Sequence, residues 1–217
     1  VSSTEIKTRL QRVLLKVQKP GRYVGGEYNQ VQKDWQSVNA RVALLFPEIY
    51  DIGLPNLGIS ILYDAINSRS DALAERAYLP WTDMENEMRA AGIPLFTLES
   101  TNPLTAFDII GVSVPYETLY TNVLNAFDLA GIPFFASERD ETFPLIIAGG
   151  HSTFNPEPMA PFFDAFFLGD GESVMQDLLI TWQEWKQAGD TKLQLLERLA
   201  RIEGMYIPSF YDVQYDN

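Results

Sequence analysis

From residue 41 onward the sequence alternates short, unbroken apolar runs with longer amphipathic stretches, and no other feature constrains the fold as much. Arg41–Phe46 (RVALLF), Asp108–Val114 (DIIGVSV), Pro144–Ala148 (PLIIA) and Asp164–Leu168 (DAFFL) are of strand length. They lack polar alternation, as strands covered on both faces do. Residues 73–79 (LAERAYL) predict a more polar strand, and Leu95–Leu98 a short edge strand. Helical spacing lies between them. Ile59, Leu62, Tyr63 and Ile66 share one face, and Tyr116, Leu119, Tyr120, Val123, Leu124 and Phe127 another. Val174, Met175, Leu178, Leu179 and Trp182 form a third, and Leu195, Leu196, Leu199 and Ile202 a fourth. Thr82 and Glu85 are spaced as a capping box opening a helix through Met84, Met88 and Ala91. The first strand is expected to stop at Pro47, and MYIPSFY closes the chain as a strand-like segment. The pattern predicts a doubly wound α/β fold: a mainly parallel five-stranded sheet, helices on both faces, in the flavodoxin-like (Rossmann-like) order 2-1-3-4-5.

Three segments follow. Residues 1–40 are an N-terminal helix (Ile6, Leu10, Val13, Leu14, Val17) and a Gly-rich arm, Lys19-Pro20-Gly21-Arg22-Tyr23-Val24-Gly25-Gly26-Glu27, which cannot continue a helix. Residues 41–187 are the α/β domain, and 188–217 a C-terminal helix and strand. A chain of 217 residues is expected to hold one sizeable core with appendages. No run reaches the ~18 apolar residues of a membrane span and no leader is visible, so a cytoplasmic protein is expected. Sixteen basic against 29 acidic residues give a net charge of −13, the wrong sign for gripping nucleic acid. There is no cysteine and a single histidine. That excludes cysteine-held iron–sulfur clusters within these residues and disfavours His-rich metal sites.

In such a sheet, ligands bind beyond the carboxyl ends of the strands, where the strand order reverses. The loops there are Pro47–Gly58, Val114–Glu117, Gly149–Glu157 and Gly169–Glu172, dense in glycines that let backbone approach a flat ligand. His151, after the glycine pair, is a candidate to hydrogen-bond a cofactor amide or to reach a substrate from a neighbouring domain; it also suits a loop histidine bonded to backbone. Asp170 and Glu172 suit the start of a helix, or shape the loop and contact an adjoining domain. Glu48, Asp51 and Glu117 are acid–base candidates or plain surface carboxylates. Tyr116 and Tyr120 are expected in the core. Trp185 is expected at the surface against a partner domain. Arg22 and Tyr23 are expected to pack across the sheet edge or onto a following domain, or to belong to a flexible leader.

At these loops the sequence resembles the cobalamin-binding domains fused to radical S-adenosylmethionine enzymes. Glu48-Ile49-Tyr50-Asp51-Ile52-Gly53 stands where the family has Asp-x-His-x-x-Gly, Ser113-Val114-Pro115 where it has Ser-x-Leu, and Gly149-Gly150 where it has a glycine pair. Gly149-Gly150-His151 to Pro156-Glu157, then Asp164 and Gly169-Asp170-Gly171-Glu172, is similar to the radical enzymes' version, and the resemblance covers about residues 41–187. It implies a cofactor site made of Glu48, Tyr50, Gly53, Ser113, Val114, Pro115, Gly149, Gly150, His151, Gly169, Gly171 and Glu172. The arm from Lys19 to Glu27 resembles the start of an uncharacterised subfamily. Tyr50 replaces the family's cobalt-binding histidine, and a phenol of pKa ~10 is a poor ligand beside imidazole. Two readings stand: cobalamin bound without a protein ligand, or a fold kept and the cofactor lost. The resemblance further implies that this is the N-terminal fragment of an Fe–S enzyme. Its [4Fe–4S] cluster and S-adenosylmethionine would lie in a following radical SAM barrel, which this fragment would serve as partner without being catalytic itself. Two alternatives from other classes are a stand-alone flavodoxin-like nucleotide or flavin module and a non-catalytic interaction domain. The first lacks a Gly-x-Gly-x-x-Gly phosphate cradle.

Overall fold

The structure, a computed structural model, describes residues 1–212 and 214. In chain order the elements are α1 (Ser3–Val13), β1 (Ala40–Ile49), α2 (Tyr50–Gly53), α3 (Leu57–Asn67), β2 (Ala72–Leu79), α4 (Thr82–Ala91), β3 (Ile109–Ser113), α5 (Tyr120–Ala130), β4 (Leu145–Gly149), β5 (Ala165–Phe167), α6 (Gly171–Ala188), α7 (Lys192–Leu199) and β6 (Met205–Tyr206). Among the described residues the sheet has six strands, in the order β2-β1-β3-β4-β5-β6. β1 to β5 are parallel and β6 is antiparallel to β5, so the sheet is mixed rather than the expected five-stranded one. The sixth strand comes from the strand-like closing segment: Phe166 pairs with Tyr206 and Phe167 with Met205. The end of the 188–217 segment, Val213 and 215–217, lies outside the described residues.

The uninterrupted apolar strands are explained by a core on each face. On one side Leu45, Ile110, Val112, Ile146 and Phe166 pack with Ile6 and Leu10 of α1, Met84 and Met88 of α4, and Val123 and Phe127 of α5. On the other, Val42, Leu44, Ile109 and Ile147 pack with Ile59, Tyr63 and Ile66 of α3, with Leu178, Leu179 and Trp182 of α6, and with Leu195 and Leu199 of α7. Each large aliphatic side chain so buried contributes about 1.5–3 kcal/mol. α3 covers one face on the way from β1 to β2, α4 the other on the way to β3, so the winding reverses between β1 and β3.

Several local expectations are corrected. β1 runs past Pro47 to Ile49, with a register shift against β2 between Phe46 and Ile49. The Thr82–Glu85 capping box does not form: Trp81 is the N-cap of α4, its N–H donates to the Tyr23 hydroxyl at 3.1 Å, and Glu85 pairs with Arg89 at 3.0 Å. Leu95–Leu98 makes only an isolated bridge, Phe96 to Pro103, because Thr97 N–H bonds back to Asn102 O and closes a loop. Trp185 is half-buried against Trp182 and donates its indole N–H to Thr191 O at 2.9 Å. Tyr116 is 40% exposed, while Tyr120 packs partly against the core.

Residues 14–39 form a strap across the β2 side of the sheet, which settles Arg22 and Tyr23 as edge-packing residues. Gln18 N–H donates to Asp83 at 2.6 Å, Arg22 pairs with Asp51 at 2.5 Å, and Val31 N–H donates to the Tyr63 hydroxyl at 2.8 Å. Lys33 Nζ donates to three carbonyls: Asn67 at 2.8 Å, Arg69 at 2.5 Å and Ala72 at 2.7 Å. At Ala74 and Arg76, the outward backbone groups of β2 bond to side chains and a loop. Asn67 accepts from Ala74 N–H and donates to Ala74 O, both at 3.0 Å. Arg76 N–H donates to Glu99 at 2.8 Å, and Leu98 N–H donates to Arg76 O at 2.9 Å. The Arg76 guanidinium also pairs with Glu99 at 2.7 Å, the two side chains 4% and 2% exposed. On the opposite face Glu75 accepts from the Ser100 hydroxyl at 2.6 Å and the Thr97 hydroxyl at 2.5 Å. Burial pushes the carboxyls of Glu75 and Glu99 up, in Glu99 against the pull of Arg76.

Candidate functional site

The carboxyl ends of β1, β3 and β4 open into a cavity of about 280 Å³ between the sheet and helices α3 and α6. Its floor is Val42, Leu44, Ile109, Gly111 and Ile147; Leu62 of α3 and Val174, Met175 and Leu178 of α6 form walls, with Phe167 and Met205 at the β5–β6 side. The mouth is built from turns: Ser113 closes β3, Gly149-Gly150 closes β4, and Gly169-Asp170-Gly171-Glu172 leads into α6. Gly150 holds φ +111°, and a Cβ there would stand 2.9 Å from the Val114 backbone, so no other residue fits the turn. That contact matters because Val114 carries the mouth: its N–H donates to Gly149 O at 2.7 Å, and its carbonyl accepts from Ser152 N–H at 3.2 Å and Ser152 Oγ at 2.7 Å.

Six of the residues expected at a site line this cavity: Ser113, Gly149, Gly150, Gly169, Gly171 and Glu172. The other six do not. Val114 is buried beneath the mouth, and Pro115 follows it half-buried. His151 is exposed, its ring edge-on to Phe154 at 5.7 Å. Glu48 is half-buried and accepts from the N–H of Ile49 at 3.0 Å. Gly53 is buried beneath the Tyr78 ring, whose nearest carbon would lie 2.4 Å from a Cβ at that position. Tyr50 turns towards β2 and the strap: its hydroxyl donates to Glu27, and its ring meets Tyr78 edge-on at 5.9 Å. Burial, then the hydrogen bond to Glu27, pushes its pKa up to about 12, so the phenol stays protonated at neutral pH. Asp51 beside it is held by Arg22 and by Lys19 at 3.2 Å, which lower its carboxyl. Tyr50 and Asp51 of the first loop therefore serve the strap, and the turns after β3, β4 and β5 make the mouth of the cavity.

Sequence reasoning missed Gly111, which the pattern did hold. A glycine inside an otherwise apolar strand marks close approach or space. Here it marks space: a Cβ would find only Leu44 Cδ2, at 3.4 Å. Among the described residues, no three His, Cys, Asp or Glu side chains are grouped so as to hold a metal ion. No helix among them is long and apolar enough to cross a membrane.

Residues 58–208 match the family described as radical SAM proteins, N-terminal. The chain belongs to that family. The match spans more than half of the 217 residues, from within α3 to just past β6. It makes this a radical SAM N-terminal domain, accessory to a catalytic domain fused to it. No curated protein and no solved structure matches the chain.

Proposed function

We propose that this domain serves a radical SAM Fe–S enzyme by presenting a corrinoid to the fused catalytic barrel, bound without a protein ligand to cobalt. The observation that carries the reading is the apolar, glycine-mouthed cavity at the switch point of the sheet, where this fold class binds its ligands. The donor set fits a corrinoid only in that mode, since Tyr50 is engaged by Glu27 and stays a neutral phenol. Val42, Leu44, Gly111 and Ile147 would hold the uncharged base of the cofactor's tail, and Ser113 with Gly149 and Gly150 would face the rim. Glu172, in the first turn of α6, offers acceptors to the amide groups that fringe a corrin ring. When bound, a corrinoid supplies a cobalt–carbon bond for methyl or radical transfer. The domain's own residues orient that group and keep water from its buried side. With no cysteine in the chain, the [4Fe–4S] cluster and S-adenosylmethionine belong to the fused domain. A nucleotide or flavin module is the weaker reading, because the mouth sets Glu172 at the helix start where such sites place an anion.

The test is titration of the intact protein with hydroxocobalamin and methylcobalamin, read by absorbance and gel filtration. Comigration without the spectral shift of a histidine-ligated cobalt is the expected result. No comigration at high micromolar ligand overturns the corrinoid reading and leaves an interaction domain; tight FMN binding instead would establish the flavodoxin-like alternative.

A further inference from the structure

The sheet's other end carries an apolar groove that the proposed cofactor site does not use. It has a volume of about 630 Å³ and lies beside β6, between the segments 135–139 and 157–163 and the start of α7. Phe135, Phe163, Leu193, Leu196, Tyr206 and Pro208 line it. Its rim is exposed aromatic and aliphatic surface: Phe135 is 46% exposed and stacks on Phe162 at 5.5 Å, Leu193 is 58% exposed, and Tyr211, 62% exposed, lies 4.9 Å from Tyr206. Beneath it, charge is balanced in a chain that carries −13 overall. Asp164, its side chain 2% exposed, pairs with Lys192 at 2.8 Å and Arg139 at 3.4 Å, and Tyr206 donates to Glu157 at 2.6 Å. Among the described residues, β6 has a strand partner on one side only.

We propose that this groove is the seat of the fused catalytic domain, which lays an apolar segment of its own across Phe135, Leu193 and Tyr206. Three observations select that occupant. The family match closes at residue 208, in the wall of the groove, so the part of the protein joined beyond the N-terminal domain is tethered beside it. A tethered partner needs no high intrinsic affinity, because its effective concentration is in the millimolar range. Exposed aromatics over a charge-neutral floor fit an apolar surface rather than nucleic acid or a charged peptide, and an open strand edge calls for cover. The proposal rests on the reading of this chain as an accessory domain, and it assigns the docking face to the β5–β6 side as well as the mouth of the cavity.

The experiment places a photo-crosslinking amino acid at Leu193 in the intact protein, with a second version carrying it at His151 beside the cavity mouth. Both positions are exposed, so the fold tolerates them. Mass spectrometry of the monomer band is expected to show the Leu193 probe joined to a peptide of the catalytic domain, and the product to be lost in Phe135→Ser. Capture from His151 alone would overturn the groove while leaving the accessory reading intact. Capture from neither position would overturn both. A Leu193 product at twice the monomer mass would make the occupant a second copy and overturn the proposal.

Discussion

Replacing Gly111 by valine separates a real cavity from a loosely drawn one. The new Cβ would meet only Leu44 Cδ2, at 3.4 Å, an ordinary contact, and the two methyl groups would point into the 280 Å³ space. Glycine inside a strand costs about 0.5–1 kcal/mol relative to alanine, and the strand preference for a β-branched residue adds up to about 1 kcal/mol. Burying the methyls in a cavity open at its mouth gains a fraction of the roughly 1.5–3 kcal/mol of full burial. Gly111→Val is therefore expected to be more stable by about 1–2 kcal/mol, a rise in Tm of roughly 2–8 °C for a chain of this size. Urea unfolding at unchanged m-value and thermal melting both read it. The same variant is expected to lose corrinoid comigration, so stability rises as binding falls. Destabilisation by more than about 1 kcal/mol would mean overpacking where open space is claimed, and would refute the reasoning.

Two further outcomes follow from the β2 cluster. Glu99→Gln leaves the Arg76 guanidinium, 4% exposed, without its counter-charge, and is expected to cost about 3–5 kcal/mol by urea unfolding; the pair Arg76→Met with Glu99→Leu should cost less than the single change, and a single-variant loss below about 1 kcal/mol contradicts the account. Glu75 has its carboxyl raised above the ordinary 4.5 by burial, with the Ser100 and Thr97 hydroxyls and Lys7 of α1 opposing, so the folded state holds its proton more tightly than the unfolded chain. Stability from that group is present below about pH 4.5 and lost as pH rises through the folded value, so Glu75→Gln should gain on the wild type with rising pH and match it in acid; a gain that grows towards acid would reverse the sign.

The elements that could be read from the chain are those whose cause is local. Leu145–Gly149 and Ile109–Ser113 are strands because unbroken apolar runs admit burial on both faces, and the reversal between β1 and β3 follows from right-handed crossovers. What escaped reading depends on partners distant in sequence. Tyr50 leaves the cavity because Glu27, 23 residues away, takes its hydroxyl. The Thr82 cap is overridden because Trp81 is fixed by Tyr23, 58 residues away. Glu75 and Arg76 marked β2 as a weak strand, yet every residue from Ala72 to Leu79 is buried, since the loop after α4 wraps their charges. Half of the expected site residues line the cavity because they end or follow strands β3 to β5; Glu48, Tyr50 and Gly53 were placed by analogy with a loop that here holds the strap, and Val114, Pro115 and His151 sit beneath or beside the mouth.

The bonding along β2 has a consequence for how copies of this protein can meet. Lys33 on the Ala72 carbonyl, Asn67 on Ala74, and Glu99 with Leu98 on Arg76 occupy outward hydrogen-bonding groups on which another strand would template itself. A fibre of sheets needs two adhesive edges per molecule, one to accept the previous copy and one to offer to the next. Among the described residues the opposite edge is β6, which is two residues long. A domain rich in buried strands thus meets strand addition at its β2 edge with one lysine, one asparagine, one glutamate and the backbone of Leu98.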